Sequence, residues 1–243
     1  MRAGLRDASG DTYPRGLIDP QGAVPGQARG LGYMAPTYTR RFPGSILQRS
    51  LWLRAFLMAS DKAELRKHAL ARRKALTAWE REAAAAAITM AAERIAKLAG
   101  GGAVAGYWPY GSEIDPRPLL RRLGALGVPV ALPVIQHPDM VFRLWRADTR
   151  LVDAGFGTLG PGPEAGAVRP ALLLVPLAAF DRACNRIGWG KGHYDRAIQA
   201  LQPVKTIGLA FALQEVLEVP AEPHDQQLDA VITEREWIDA TCI

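Results

Sequence analysis

Five consecutive apolar residues, Ala171-Leu172-Leu173-Leu174-Val175, form the most apolar strand-length run in the chain. A run with no polar alternation reads as a strand buried on both faces, and such strands sit in parallel sheets covered by helices above and below. Ala103–Tyr107 is a second run of this kind, preceded by the helix-stopping Gly100-Gly101-Gly102. Val128–Leu132, Met140–Ala147, Lys205–Phe211 and Asp229–Thr233 read as further strands. Helix signals lie between and before them. Asp61 with Glu64 resembles a capping box, followed by Leu65, Ala69, Leu70 and Leu76 at helical spacing. Thr77 with Glu80 is a second box, predicting one long Ala-rich helix to about Ala99. Asp115-Pro116 predicts an N-cap with Pro at the first helical position, and His193–Leu201 predicts a further helix. Residues 153–170, with five Gly and three Pro, read as loop. Helices first, then strand and helix in alternation, predict a three-layer α/β fold with a mostly parallel sheet and helices on both faces.

The charge is unevenly placed. Residues 1–60 hold eight Arg, no Lys and three Asp, while the other 183 residues hold 22 basic and 21 acidic side chains. The net charge of +6 therefore belongs mostly to an N-terminal tail. A nearly neutral main domain does not predict a nucleic-acid partner, which needs many clustered cations. Residues 1–57 are read as a disordered or non-core extension, with Met58 as the start of the core, and 58–243 as a single α/β domain. No apolar run approaches the ~20 residues of a membrane span, so no membrane association is expected. Two cysteines, Cys184 and Cys242, are too few for a disulfide framework, which fits a reducing, cytoplasmic location.

The chemistry concentrates in Asn185-Arg186-Ile187-Gly188-Trp189-Gly190-Lys191-Gly192-His193-Tyr194-Asp195-Arg196. Three glycines alternate with other residues immediately before a helix. Backbone N–H groups freed of Cβ interference, a helix start and the charges of Arg186 and Lys191 together make a phosphate cradle. It is not a Walker A loop: Gly106 and Gly111 have that spacing, but Ser112 and Glu113 follow where Lys and Ser/Thr belong. Nor is it a dinucleotide fingerprint, since the third glycine comes one residue early. Asp195, one turn into the helix, would repel a phosphate unless a cation lay between them. That points to Mg²⁺, with Asp225 a second hard ligand. Lys62 and Arg66 are like charges at i, i+4 in the first turn of a helix, an arrangement that a bound polyphosphate would turn from unfavourable to favourable.

These residues resemble the 5-formyltetrahydrofolate cyclo-ligase family. The glycine loop with Val175-Pro176 and Ala179-Phe180-Asp181 is the specific part. Lys62-x-x-Leu65-Arg66 with Arg73, Glu113-Ile114-Asp115, and His224-Asp225 with Leu228-Asp229 follow in the family's order. The likeness covers about residues 60–234 and implies a Rossmann-like fold similar to those of sugar-phosphate isomerases and CoA transferases. It implies ATP- and Mg²⁺-dependent conversion of 5-formyltetrahydrofolate to 5,10-methenyltetrahydrofolate, with release of ADP and phosphate, by a monomer. The formyl oxygen is a poor leaving group until it is phosphorylated, after which N10 closes the ring.

By the same resemblance, Lys62, Ala63, Glu64, Leu65 and Arg66 bind ATP together with Arg186, Ile187, Gly188, Trp189, Gly190, Lys191, Gly192, His193 and Tyr194. Lys191 and Arg186 are the catalytic cations. Tyr110, Glu113 and Asp115, with Trp189 through His193, bind the folate, and Asp195 and Asp225 hold the metal. The family usually has two adjacent Tyr before the Asp, whereas the first is His193 here. Two other readings fit the same features: an isomerase-like enzyme on a similar scaffold, which needs no ATP, and a non-catalytic folate- or nucleotide-binding protein. A nucleic-acid module acting through the basic tail is a weaker third.

Overall fold

The computed structural model describes residues 62–240 apart from Pro138 and Phe156. The described residues belong to one compact unit. The extension assigned to 1–57, and Asp61 of the first expected capping box, lie outside them.

A helix, α1, runs through 62–75. Thr77 then caps α2 (Ala78–Thr89) with the reciprocal box read from sequence. The Thr77 hydroxyl accepts the Glu80 N–H, and Glu80 accepts the Thr77 N–H. The single helix expected to reach Ala99 is in fact two, because α3 (Ala92–Ala99) starts after a break at Met90-Ala91. The Thr89 hydroxyl donates back to the Ala85 carbonyl at 2.7 Å, and the next two amides tighten to i−3 carbonyls. Back-bonding of this kind bends or ends helices. Gly100 then closes α3 in the left-handed conformation.

The main sheet has seven strands: β1 (Val104–Ala105), β2 (Val130–Gln136), β3 (Asp139–Leu144), β6 (Leu172–Pro176), β9 (Lys205–Leu209), β10 (Ala230–Ile232) and β11 (Trp237–Asp239). Their spatial order is β11-β10-β9-β6-β1-β2-β3, parallel through the middle, with β3 and β11 antiparallel at the edges. Alternation along β6 shows why its sequence is apolar throughout. Leu172 and Leu174 pack with Ile88, Ile95, Leu119 and Leu123 from α2, α3 and α4 (Arg117–Ala125). Leu173 and Val175 pack with Ala197 and Ile198 of α5 (His193–Leu201) on the opposite face. The three-layer arrangement is thus as predicted. No helix among the described residues is long and apolar enough to cross a membrane.

Two hairpins were not legible. The stretch expected as loop, 153–170, holds the end of β4 (Leu151–Gly155) and all of β5 (Thr158–Pro161), which pair antiparallel. Its glycines and prolines hid a strand pattern that forms by packing against β2. A second small hairpin, β7 (Ala179–Phe180) with β8 (Arg186–Ile187), delivers the chain to the glycine loop. Asp181 ties its turn by accepting the backbone and side-chain amides of Asn185. The start of α4 also moves by one residue. Pro116, not Asp115, is the N-cap, and Asp115 accepts the Arg117 N–H at 2.9 Å.

Candidate active site

The strand order reverses at β1: β2 lies on one side of it and β6 on the other. Such a switch point opens a crevice at the carboxyl ends of the strands, where ligands bind in open α/β sheets. A cavity of about 610 Å³ occupies this position. Tyr107, Trp108 and Tyr110 enter it after β1, and Pro176 from the end of β6. Pro133, Ile135, Met140, Gly155, Thr158 and Leu159, from β2 to β5, make an apolar wall that sequence reasoning did not foresee.

The rest of the lining is more polar. The whole segment from Arg186 to Asp195 belongs to it, joined by Lys62, Arg66, Glu222, His224 and Asp225. Helix α1 reaches the glycine loop directly, for Arg66 donates to the Gly188 carbonyl at 2.8 Å. Gly190 and Gly192 hold φ of +81° and +64°, a region that a side chain disfavours. Gly192 is the N-cap of α5 and supplies no side-chain cap, and a helix start beside a glycine loop is a setting that suits an anion. Tyr194 lines the cavity, and its hydroxyl is buried with no hydrogen-bond partner among the described residues. Burial raises its pKa far beyond the ordinary phenol range, so it stays a neutral phenol.

Charges here come in pairs. Arg186, buried, donates to Asp195 at 2.9 Å and to the Gln226 carbonyl. The same Asp195 oxygen accepts the Gln226 N–H at 3.1 Å. Lys62 lies 2.6 Å from Asp225 and 3.4 Å from Glu222. Burial opposes ionisation of Asp225, but the hydrogen bonds from Lys62 and the Glu222 N–H outweigh it and hold the carboxyl below its usual range. Glu222, His224 and Asp225 place one ligand atom each within 4.8 Å of one another. Two carboxylates in that set suit a hard divalent cation. Glu222 carried no sequence signal of its own beyond its nearness to Asp225. Lys191 is exposed at the cavity rim, with no ion pair among the described residues.

Glu113 joins the two sets of lining residues. Its Oε2 accepts the Tyr110 N–H and its Oε1 the Trp189 indole N–H, both at 2.8 Å. Burial raises its pKa, against those two donors and the Arg73 charge.

Some residues assigned from sequence lie elsewhere. Ala63 and Glu64 are exposed on α1, where Glu64 meets Lys67 and His68, and Leu65 packs beside Ala69 and Ile187. The carboxylate of Asp115 is held by Arg117 and does not line the cavity. Cys184 is fully buried with its thiol pKa pushed up to about 11 by burial, which suits packing rather than nucleophilic chemistry.

Comparison with known proteins adds the family. The model of the 5-formyltetrahydrofolate cyclo-ligase family matches residues 58–234. A 5-formyltetrahydrofolate cyclo-ligase of Escherichia coli (strain K12) is 34% identical over 140 residues, covering 54% of this chain and 76% of the relative. One from Haemophilus influenzae is 32% identical over 163 residues, covering 63% and 87%. The solved structure of Aquifex aeolicus 5,10-methenyltetrahydrofolate synthetase superposes with a TM-score of 0.65 at 26% identity, covering 74% of this chain and 92% of that one.

Proposed function

The chain belongs to the 5-formyltetrahydrofolate cyclo-ligase family, and from that premise we propose that it converts 5-formyltetrahydrofolate and ATP to 5,10-methenyltetrahydrofolate, ADP and phosphate. The observation that carries this reading is one cavity lined by two chemically different sets of residues. The glycine-cradled cationic set suits a triphosphate, and the aromatic and apolar set with one buried carboxylate suits a pterin.

The formyl oxygen attacks the γ-phosphorus, and the bond from that phosphorus to the β-bridging oxygen breaks to release ADP. N10 then adds to the activated carbon, phosphate leaves with the former formyl oxygen, and the N10 proton is lost. Little of this needs covalent help from the protein. Its work is positioning and charge stabilisation. Amides of the glycine loop and the start of α5 hold the phosphates, with Arg66 keeping the loop against α1. Arg186 and Lys191 supply positive charge, Lys191 nearest the transferring group. The pterin edge donates to Glu113, whose oxygens each keep a lone pair beyond those used by Tyr110 and Trp189. Asp195 and Asp225, with Glu222 beside Asp225, would hold Mg²⁺, which neutralises charge on the β- and γ-phosphates when bound. The same reading takes 58–243 as the catalytic domain and the surroundings as cytoplasmic.

The test is to supply 5-formyltetrahydrofolate with Mg-ATP and follow the methenyl chromophore. Product that forms only with ATP supports the reading, and binding of both ligands without turnover overturns it. Within this scheme, Gly190→Ala should raise KM for ATP about tenfold, since forcing a side chain into the left-handed region costs about 1–2 kcal/mol. A methyl group there would sit 3.5 Å from Arg66, an ordinary contact, so the penalty is one of backbone conformation rather than space. Steady-state kinetics at saturating folate measures it.

A further inference from the structure

Arg73 is the largest fully buried side chain among the described residues, and no step of the reaction uses it. Its Nε donates to the Ser112 hydroxyl at 3.0 Å and its Nη1 to the Leu177 carbonyl at 3.3 Å. Its guanidinium carbon lies 5.6 Å from the centre of the Trp189 ring. The same ring meets Tyr110 edge-on at 5.7 Å, and its N–H donates to Glu113. The Glu113 carboxylate is thus bonded by Tyr110 and by Trp189 of the glycine loop, and Arg73 of α1, lying over the Trp189 ring, is itself tied to Ser112 and to Leu177 just after β6.

We propose that Trp189 and Arg73 are positioning residues that keep Glu113 ionised and aimed into the cavity, so that the glycine loop sets the affinity for the reduced folate as well as for the nucleotide. The proposal rests on the reading of the reaction above and deepens it. A carboxylate this deeply buried tends to take up a proton, and a protonated one loses an acceptor site for the pterin N–H groups. Opposing protonation are the Tyr110 amide, the Trp189 indole and the Arg73 charge. The other ionisable groups that face Glu113 are the phenols of Tyr107 and Tyr194, both pushed by burial far above the ordinary range and so uncharged. Among the described residues, Arg73 is then the one charged neighbour acting on it, and Trp189 the one side-chain donor.

Trp189 is 44% exposed, so Trp189→Phe keeps an aromatic ring, removes the N–H and should still fold. Calorimetric titration with 5-formyltetrahydrofolate across pH, without ATP, reads the effect. In the wild type, binding should weaken on the acid side as Glu113 takes up a proton. In W189F that acid limb should move up by about one pH unit, the loss expected for one hydrogen bond to a charged acceptor. In Glu113→Gln the limb should vanish. A limb that stays put in W189F, or that persists in E113Q, overturns the proposal. Wild-type protein that binds the folate with the expected limb but makes no product with Mg-ATP would overturn the reaction and leave this inference standing.

Discussion

Replacing Lys191 by Met should lower kcat about 100- to 1,000-fold, the usual cost of removing one preorganised charge from a developing anion. Lys191 stands at the rim of the phosphate end, in the middle of the glycine loop and without an ion-pair partner among the described residues. The other cations of the site are already engaged. Lys62 is matched to Asp225 and Glu222, and Arg186 to Asp195. Arg66 donates to the Gly188 carbonyl and holds the loop, and Lys191 offers charge that a phosphoryl group need not take from a carboxylate. The loss should therefore fall on kcat, as expected for an interaction made only in the transition state. Initial rates of methenyl formation with each substrate varied in turn provide the check. A variant whose defect lies wholly in KM for ATP would show that Lys191 binds the ground state and does not act on the transferring group.

A comparable loss, this time of stability, is expected for Asp195→Ala. The Arg186 side chain is 4% exposed, and Asp195 is its only ion-pair partner among the described residues. Removing one member of a buried pair leaves the other charged in a poorly solvated place, at a cost of about 3–5 kcal/mol. For a domain of this size that lowers Tm by roughly 6–20 °C. Asp195→Asn should lose much less, because an amide oxygen can still accept from Arg186 and from the Gln226 N–H. Scanning calorimetry of both variants reads the difference. If Asp195 also holds Mg²⁺, the folded D195N protein should need more magnesium for half-maximal rate. Equal melting temperatures for D195A and the wild type would show that Arg186 needs no counter-charge there.

The two predictions draw on signals of different reach. Lys191 was visible in a string of neighbouring residues, as were most of the architectural elements. The Thr77–Glu80 box is a contact three positions apart, and it caps α2 as read. His193–Leu201 is a helix over the predicted bounds. The apolar run at 171–175 announced a strand covered on both sides, and β6 has its alternate residues in two different core clusters. The misreadings have a common cause. The break at Met90-Ala91 depends on one hydroxyl turning back onto its own helix, and β4 with β5 depends on a neighbouring strand to pack against.

What the chain determined by itself was therefore local: where helices start, which strands are buried, and that an anion-binding bend with Arg and Lys precedes α5. Hydrogen-bond geometry and apolar periodicity over a few residues encode those features, so they are written in adjacent letters. Which groups meet across the cavity was decided only on folding. Lys62 reaches Asp225 across 163 positions, and Trp189 reaches Glu113 across 76. Neither pairing has a sequence signature, because it exists only once the strand order reverses at β1 and the loops at that end of the sheet are drawn together. The same closure separated Asp115 from the pocket and brought Glu222 into it, since the energy of a long-range contact depends on the packed sheet and not on the residues beside it in the chain.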